Sequence, residues 1–500
     1  MAFLWLSREY VSKRFYSDFN NNFTNKGNVM STTTIGSAKV ESNSQKGIVY
    51  LIALIAALGG LLFGLDQGFV ANALSTISAH YNLSTAEKEH FTAILSVGCM
   101  IGPAVALLSN RFIGRKYTII IAGFLFASMS LISTMVPSYE VLFYARLLLG
   151  VAVGIAAFTV PIYLIETSPK SKRGTFGTYW QLMITVGIFA VSFINSYITM
   201  SFGETVHSLV LMYGVLSFFS VLMFVCVLVI PKSPRYLMLK GKREEALQVL
   251  RRTRNSEQEV NEELAEIEEA TKVKTSFISF LTKPFFWKIV ALCGVLQFFQ
   301  QTTGINVFIY YGPSILEKAG FAHGLFTQNI IYIVNMLATF IAVKYIDQAG
   351  RVKLLTAGGI LVVLSLLLAA FSYNHIVAGA ALGLYGYMFL AATLLFIVGF
   401  ACSWGPITWI LVAELFPLKS RELGVTLSTI ANYFGNTIVA GTSLTLMSAY
   451  GTSNLMLIFA VITVVALIVV KKFCPETKGV SIESIEKKFE SGTPIKNVGI

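Results

Sequence analysis

Residues 209–230, LVLMYGVLSFFSVLMFVCVLVI, run for twenty-two positions without a charge, and residues 231–235, PKSPR, follow at once. At 1.5 Å per residue a helix of that length spans about 33 Å, enough to cross a hydrocarbon core of about 30 Å. Lipid offers no partner to a backbone amide, so such a run must satisfy its own hydrogen bonds as a helix. Comparable runs recur at 48–63, 119–136, 358–371 and 455–470. Working outward from them places spans at roughly 48–74, 91–109, 117–136, 139–165, 176–199, 207–230, 285–316, 325–346, 353–373, 380–412, 421–447 and 452–472. The expected fold class is an all-α membrane protein with twelve transmembrane helices.

Composition agrees. Of 500 residues 55% are hydrophobic and only 13% charged, against about 25% charged in a soluble chain. The net charge of +12 does not indicate a nucleic-acid partner, because the excess sits in short loops between spans. One alternate set of loops holds Arg111, Arg115, Lys116, Lys170, Lys172, Arg173, Arg351, Lys353, Lys419, Arg421 and the basic stretch 232–254, whereas the other holds only Lys88 and Lys318. The positive-inside bias therefore predicts that both termini are cytoplasmic, in a multi-pass protein of the cell membrane. The five cysteines, Cys99, Cys226, Cys293, Cys402 and Cys474, lack metal or redox spacing and read as small core residues. The five histidines, His80, His90, His207, His323 and His375, fall in or beside predicted external loops.

Residues 1–46 are polar and unpatterned and are expected to form a disordered cytoplasmic leader. Residues 47–230 and 285–473 are expected as two six-helix bundles, 474–500 as a cytoplasmic tail. The insert at 231–284 is expected as a cytoplasmic linker, in which 244–254 and 257–271 carry leucines and isoleucines at helical spacing and read as amphipathic helices.

Three signatures recur in order. Gly114-Arg115-Lys116 after the second span matches Gly350-Arg351 after the eighth; Glu166-Thr-Ser-Pro169…Arg173 after the fourth matches Glu414-Leu-Phe-Pro417…Arg421 after the tenth; Pro231-Lys-Ser-Pro-Arg235 after the sixth matches Pro475-Glu-Thr-Lys-Gly479 after the last. The offsets of 236, 248 and 244 residues imply two homologous halves of six helices. Parallel halves of this kind put a substrate site near the midplane between them. Arg115, Glu166, Arg173, Arg235, Asp347, Arg351, Glu414 and Arg421 are expected to form a cytoplasmic gate of opposite charges.

These motifs, with Gln300-Gln301-Thr-Thr-Gly304-Ile305-Asn306 and Tyr310-Tyr311 in span 7, Arg146…Gly150 in span 4 and Trp404-Gly-Pro406-Ile-Thr-Trp409 in span 10, resemble the sugar porter branch of the major facilitator superfamily over residues 48–486. Phe63-Gly-Leu-Asp66, Gln181-Leu-Met-Ile-Thr-Val-Gly187 and Ser428-Thr429…Asn432 look most like the bacterial galactose–proton symporters. Two positions depart from the family pattern: Lys232 stands where an acidic residue is usual, and Asn110-Arg111-Phe112-Ile113 lacks the acidic residue usual before Gly114.

The resemblance implies that Gln181, Gln300, Gln301, Asn306, Asn335 and Asn432 hydrogen-bond a sugar, with Gln297 secondary and Trp409 walling the ring. Carboxamides suit hydroxyls because one group both donates and accepts. For Asn335 alone an interhelical hydrogen bond is the better reading, and for Asn432 it is an equal one. Pro406 and Gly405 are expected to break span 10. Asp66, well inside span 1, must protonate or pair at membrane depth, and Arg146 in the same half is its partner; in the resembled family, symporters carry Asp here. The expected function is import of a monosaccharide, hexose or pentose, with a proton. A proton-independent facilitator and a sugar sensor stand as alternatives. No enzyme, metal, cofactor or nucleic-acid chemistry is expected, and a monomer suffices.

Overall fold

The computed structural model describes residues 34–169, 173–254, 256–272, 278–376, 382–417, 420–480 and 482–499. The regular elements among these residues are helices, with no strand, and the residues from Ile48 onward form one compact unit.

The helices of the first half are α1 (Thr34–Tyr81), α2 (Thr85–Phe112), α3 (Arg115–Thr134), α4 (Tyr139–Thr167), α5 (Arg173–Phe202) and α6 (Val206–Leu228). Helix α1 starts at Thr34, inside the leader expected to be disordered, so that boundary is corrected over 34–46; residues 1–33 lie outside the described residues. Residues 34–47 hold no proline, and a helix already nucleated by an apolar span propagates outward at little cost. Short helices follow: α7 (Pro234–Leu239), α8 (Arg243–Thr253), α9 (Glu257–Lys272) and α10 (Ile278–Leu281). The second half contains α11 (Pro284–Thr302), α12 (Ile305–Tyr310), α13 (Gly312–Lys318), α14 (Gly324–Ala349), α15 (Arg351–Asn374), α16 (Leu384–Ala401), α17 (Trp404–Leu415), α18 (Arg421–Tyr450) and α19 (Thr452–Phe473); α20 (Ile482–Glu490) follows, and then a single 3-10 turn at Ile495–Asn497.

Among the described residues, nine segments are long and apolar enough to cross a membrane. Helix α18 is not one of them although it runs 30 residues, because Thr426, Ser428, Thr429, Asn432, Asn436 and Ser443 line its buried face. Polarity that disqualifies it by hydropathy is what a helix facing a hydrophilic path carries. Large apolar side chains such as Phe112, Phe124, Phe218, Leu364 and Ile468 are exposed on the outer surface, as lipid-facing residues are.

The packing repeats as the sequence does. In the first half α2 packs on α4, and α3 on both α4 and α6; in the second, α14 packs on α16, and α15 on α16 and α19. Helix α1 meets α5 as α11 meets α18: a Cβ at Gly60 would lie 2.5 Å from the Trp180 carbonyl, so the two backbones nearly touch. Two seams join the halves, α2 against α18 and α5 against α14, and these also correspond under the repeat.

Gly114 and Gly350 both cap a helix start at φ 89°, a conformation that side chains rarely adopt, which is why both signatures carry glycine there. Span 7, expected as one helix, is broken at Gly304 (φ 94°, left-handed) and again at Tyr311. Span 10 breaks about one turn before its expected proline: α16 ends at Ala401, Cys402 and Ser403 connect, and Pro406 lies in the first turn of α17, where its missing N–H costs nothing.

The expected linker helices are present as α8 and α9. Arg254 between them is fully buried; its Nε and Nη2 donate to Glu263 at 2.5 and 2.9 Å, and its Nη1 donates to the Thr167 carbonyl at 2.8 Å. The linker is thereby fixed to the end of α4. Lys242 donates to exposed Glu245, and that hydrogen bond holds the Glu245 carboxyl below its ordinary range.

Candidate functional site

Five of the carboxamides chosen from sequence converge. Gln297, Gln300 and Gln301 project from the last turns of α11, Asn306 from the first turn of α12, and Asn432 from the middle of α18. Asn432 Nδ2 donates to Gln300 Oε1 at 2.5 Å and to Gln297 Oε1 at 2.6 Å. Gln301 Nε2 donates to Asn432 Oδ1 at 2.9 Å, and Asn306 Nδ2 donates to Gln301 Oε1. Gln300 Nε2 donates to the carbonyls of Trp404 at 3.1 Å and Gly405 at 2.8 Å, reaching the start of α17 beyond the interruption in span 10.

The break at Gly304 makes this possible. It re-aims the chain so that Asn306, five residues past Gln301, returns to the same cluster. Gln297 Nε2 is buried without a hydrogen-bond partner. An amide left so exchanges readily for a hydroxyl, which both donates and accepts. Trp409 on α17, Gln181 on α5 and Asn335 on α14 are half-buried and, among the described residues, stand outside this hydrogen-bond network. Trp404 is fully buried instead, its Nε1 donating to the Leu355 carbonyl at 3.2 Å. Near the cluster, Asn436 Nδ2 donates to the Tyr310 hydroxyl at 3.3 Å and the Tyr311 hydroxyl to the Ala440 carbonyl at 2.6 Å, so α18 also holds the far side of the break.

Asp66 is completely buried inside the first half. Gly64 and Gly68 on α1 press against α5 at Ile184 and Ile188, which turns Asp66, roughly 200° round the helix from each, toward α2 and α4. There Arg146 Nη1 stands 3.7 Å from Asp66 Oδ1. The pair is loose. Among the described residues neither carboxylate oxygen accepts a hydrogen bond and Arg146 Nη2 has no partner, while Arg146 Nε donates to the Phe91 carbonyl at 3.0 Å and the guanidinium lies 5.1 Å from the Phe91 ring. A buried carboxylate in this condition is poorly compensated as an anion.

At the linker end the paired signatures build paired clusters. Arg115 Nη2 meets Glu166 Oε1 at 3.0 Å, and Ser233 Oγ donates to Glu166 Oε2 at 2.5 Å. In the second half Arg351 Nη2 meets Glu414 Oε1 at 2.8 Å, and Thr477 Oγ1 donates to Glu414 Oε2 at 2.5 Å. These pairs staple helices within each half. A bridge between the halves is made by a residue the sequence reading missed: Glu422, whose Oε1 lies 3.0 Å from Arg115 Nη2. Arg235, expected in the gate, is exposed and makes no ion pair with a described residue, because Pro234-Arg235 opens α7 and turns the side chain to solvent. Arg421 is half-buried at the first position of α18. The side chains of Arg173 and Asp347 lie outside the described residues.

The departure at Lys232 has a visible consequence. Glu476, its counterpart, accepts the backbone N–H of Arg351 at 2.8 Å and of Val352 at 3.1 Å, capping α15. Lys232 pairs instead with Glu245 at 3.4 Å, and α3 starts without a side-chain cap.

A family model described as sugar (and other) transporter matches residues 52–489. The galactose-proton symporter of Escherichia coli (strain K12) is 35% identical over 467 residues, covering 92% of this chain and 99% of its own length. The arabinose-proton symporter of the same strain is 34% identical over 453 residues, covering 90% and 95%. Among solved structures, the inward-open conformation of the xylose transporter XylE from E. coli aligns with a TM-score of 0.75 at 25% identity, over 88% of this chain and 99% of that one.

Proposed function

The chain belongs to the sugar transporter family, with the major facilitator fold, and from that premise we propose that it carries a monosaccharide across the membrane with a proton by alternating access. The observation that carries the reading is the coexistence of two separated devices: a mutually hydrogen-bonded carboxamide cluster with one spare donor in the second half and a carboxylate without a hydrogen bond beside an arginine in the first.

Sugar hydroxyls replace the inter-amide bonds one for one, so binding need not leave a polar group unpaired. Gln297, Gln300, Gln301, Asn306 and Asn432 hold the sugar; Gln181, Asn335 and Trp409, on elements facing the interior, complete the cradle. Protonation of Asp66 frees Arg146 and changes the balance between inward and outward states. One charge crossing 100 mV gains about 2.3 kcal/mol, enough for roughly fifty-fold accumulation. By the Lys and Arg bias, the face bearing the linker is cytoplasmic, and with it both termini. Twelve spans, a cell-membrane location and a monomeric unit complete the proposal.

Proteoliposomes holding the purified protein test it. Labelled galactose should accumulate above its external concentration when an inward proton gradient is imposed, and should only equilibrate when an ionophore collapses that gradient. Equilibration under both conditions identifies a facilitator instead.

A further inference from the structure

Away from the linker, the two seams between the halves are each closed by polar contacts. On the α2–α18 seam, Glu89 is only 3% exposed. Its Oε1 accepts the backbone N–H of Thr445 at 2.7 Å, and its Oε2 accepts the Thr445 hydroxyl at 2.6 Å. On the α5–α14 seam, Asn329 Nδ2 donates to Ser196 Oγ at 3.2 Å, and Ser196 Oγ donates on to Asn72 Oδ1 of α1 at 3.2 Å. All four seam residues lie within two turns of their helix ends on the face opposite the linker.

Glu89 has no local duty that would explain it. The start of α2 is already capped by Ser84 and Glu87, which bond each other's backbone and side chains reciprocally. Glu89, two positions on, points across the seam and spends both carboxylate oxygens on the other half. Hydrogen bonds to an ionised acceptor are roughly twice as strong as neutral ones. They are also the kind that water can replace, because a carboxylate in a flooded cleft is fully hydrated. A buried contact of this sort has two stable conditions: closed on Thr445, or open and wet.

We propose that Glu89 and Thr445 form the external latch of the carrier, seconded on the opposite seam by Ser196 and Asn329, and that this latch must part for sugar to enter from outside. The proposal rests on the alternating-access reading and its orientation. It answers Arg115–Glu422, which ties the start of α18 to the start of α3 at the linker end, so that α18 is held to the first half near both of its ends.

The protein contains its own reporter. Cys99 on α2 is 1% exposed, with Asp66 and, from the other half, Tyr433 as polar neighbours, so opening of the outer side uncovers it. Cys293 and Cys474, buried in the second half's cluster toward the linker, stay covered unless the fold loosens. A small membrane-impermeant cationic methanethiosulfonate, applied to right-side-out vesicles without sugar or proton gradient, is read by peptide mapping. Glu89→Ala removes the latch. Thr445→Val removes only the hydroxyl bond at constant volume and keeps the test decisive should the first variant fold poorly. Loss of one such bond predicts about tenfold faster labelling of Cys99 in Thr445→Val, with Cys293 and Cys474 unchanged. An unchanged Cys99 rate, or equal acceleration at all three cysteines, overturns the proposal. Because the readout needs neither substrate nor ion, its failure is separate from failure of the transport reading.

Discussion

Asn432 on α18 donates to Gln300 at 2.5 Å and to Gln297 at 2.6 Å, so a single side chain ties two successive turns of α11 to the helix beside it. The amides that would hold the sugar are thus held in place by one another before it arrives. Such preorganisation lowers the ordering cost of binding. Replacing Asn432 with Ala leaves acceptors on Gln297 and Gln300 and a donor on Gln301 without this partner. The half-saturating sugar concentration should rise roughly tenfold to a hundredfold, measured as concentration-dependent uptake. An unchanged value would remove Asn432 from the site.

The break at Gly304 should be equally unforgiving. A Cβ at that position would stand 2.5 Å from the Phe459 ring, on a backbone at φ 94° that alanine occupies at a cost of about 1–2 kcal/mol. Gly304→Ala should therefore straighten or displace the junction of α11 and α12, separating Asn306 from Gln301. Sugar binding to purified protein, followed by isothermal calorimetry, should fall below detection while the variant still reaches the membrane.

Arg254 and Glu263 form an ion pair with almost no solvent contact, anchored to the Thr167 carbonyl at the end of α4. Breaking one partner of a buried pair typically costs about 3–5 kcal/mol. Arg254→Ala should detach the linker locally, so limited proteolysis should cut within 231–272 many times faster than in the native chain, with the spans protected.

The unlike residues Lys232 and Glu476 supply a gain-of-stability test. Glu476 caps α15, and α3 has no equivalent. Lys232→Glu should install that cap at the loss of a weak exposed pair with Glu245, for a net gain of about 1 kcal/mol. Thermal unfolding in detergent should shift upward; a downward shift would mean that the pair with Glu245 matters more than the cap.

How much of this was legible beforehand follows from what each feature needs. The halves and the amide cluster were readable because repeat offsets and motif strings are properties of one chain order. The Lys232 departure was visible too, but its effect appeared only when Glu476 was seen capping α15. Glu422 and Glu89 were not readable. Each lies at a helix end among other charges, where a solvated carboxylate is the ordinary expectation, and only the juxtaposition of α18 with α2 and α3 gives either a partner. The second break, at Tyr311, did carry a signal, Gly312-Pro313 directly after it, which the reading of 285–316 as one span passed over. Arg235 failed in the opposite sense: its signature was right, but opening a short helix turned it outward.

The central claim is that Asp66, at 3.7 Å from Arg146 and with neither oxygen hydrogen-bonded, carries the coupling proton. Asp66→Asn keeps the shape and removes the titrating group. Paired measurements on one proteoliposome preparation test it most directly: uphill accumulation of labelled sugar under an imposed proton gradient, and counterflow exchange without one. The account predicts that accumulation is abolished while exchange persists. Accumulation undiminished in Asp66→Asn would contradict it.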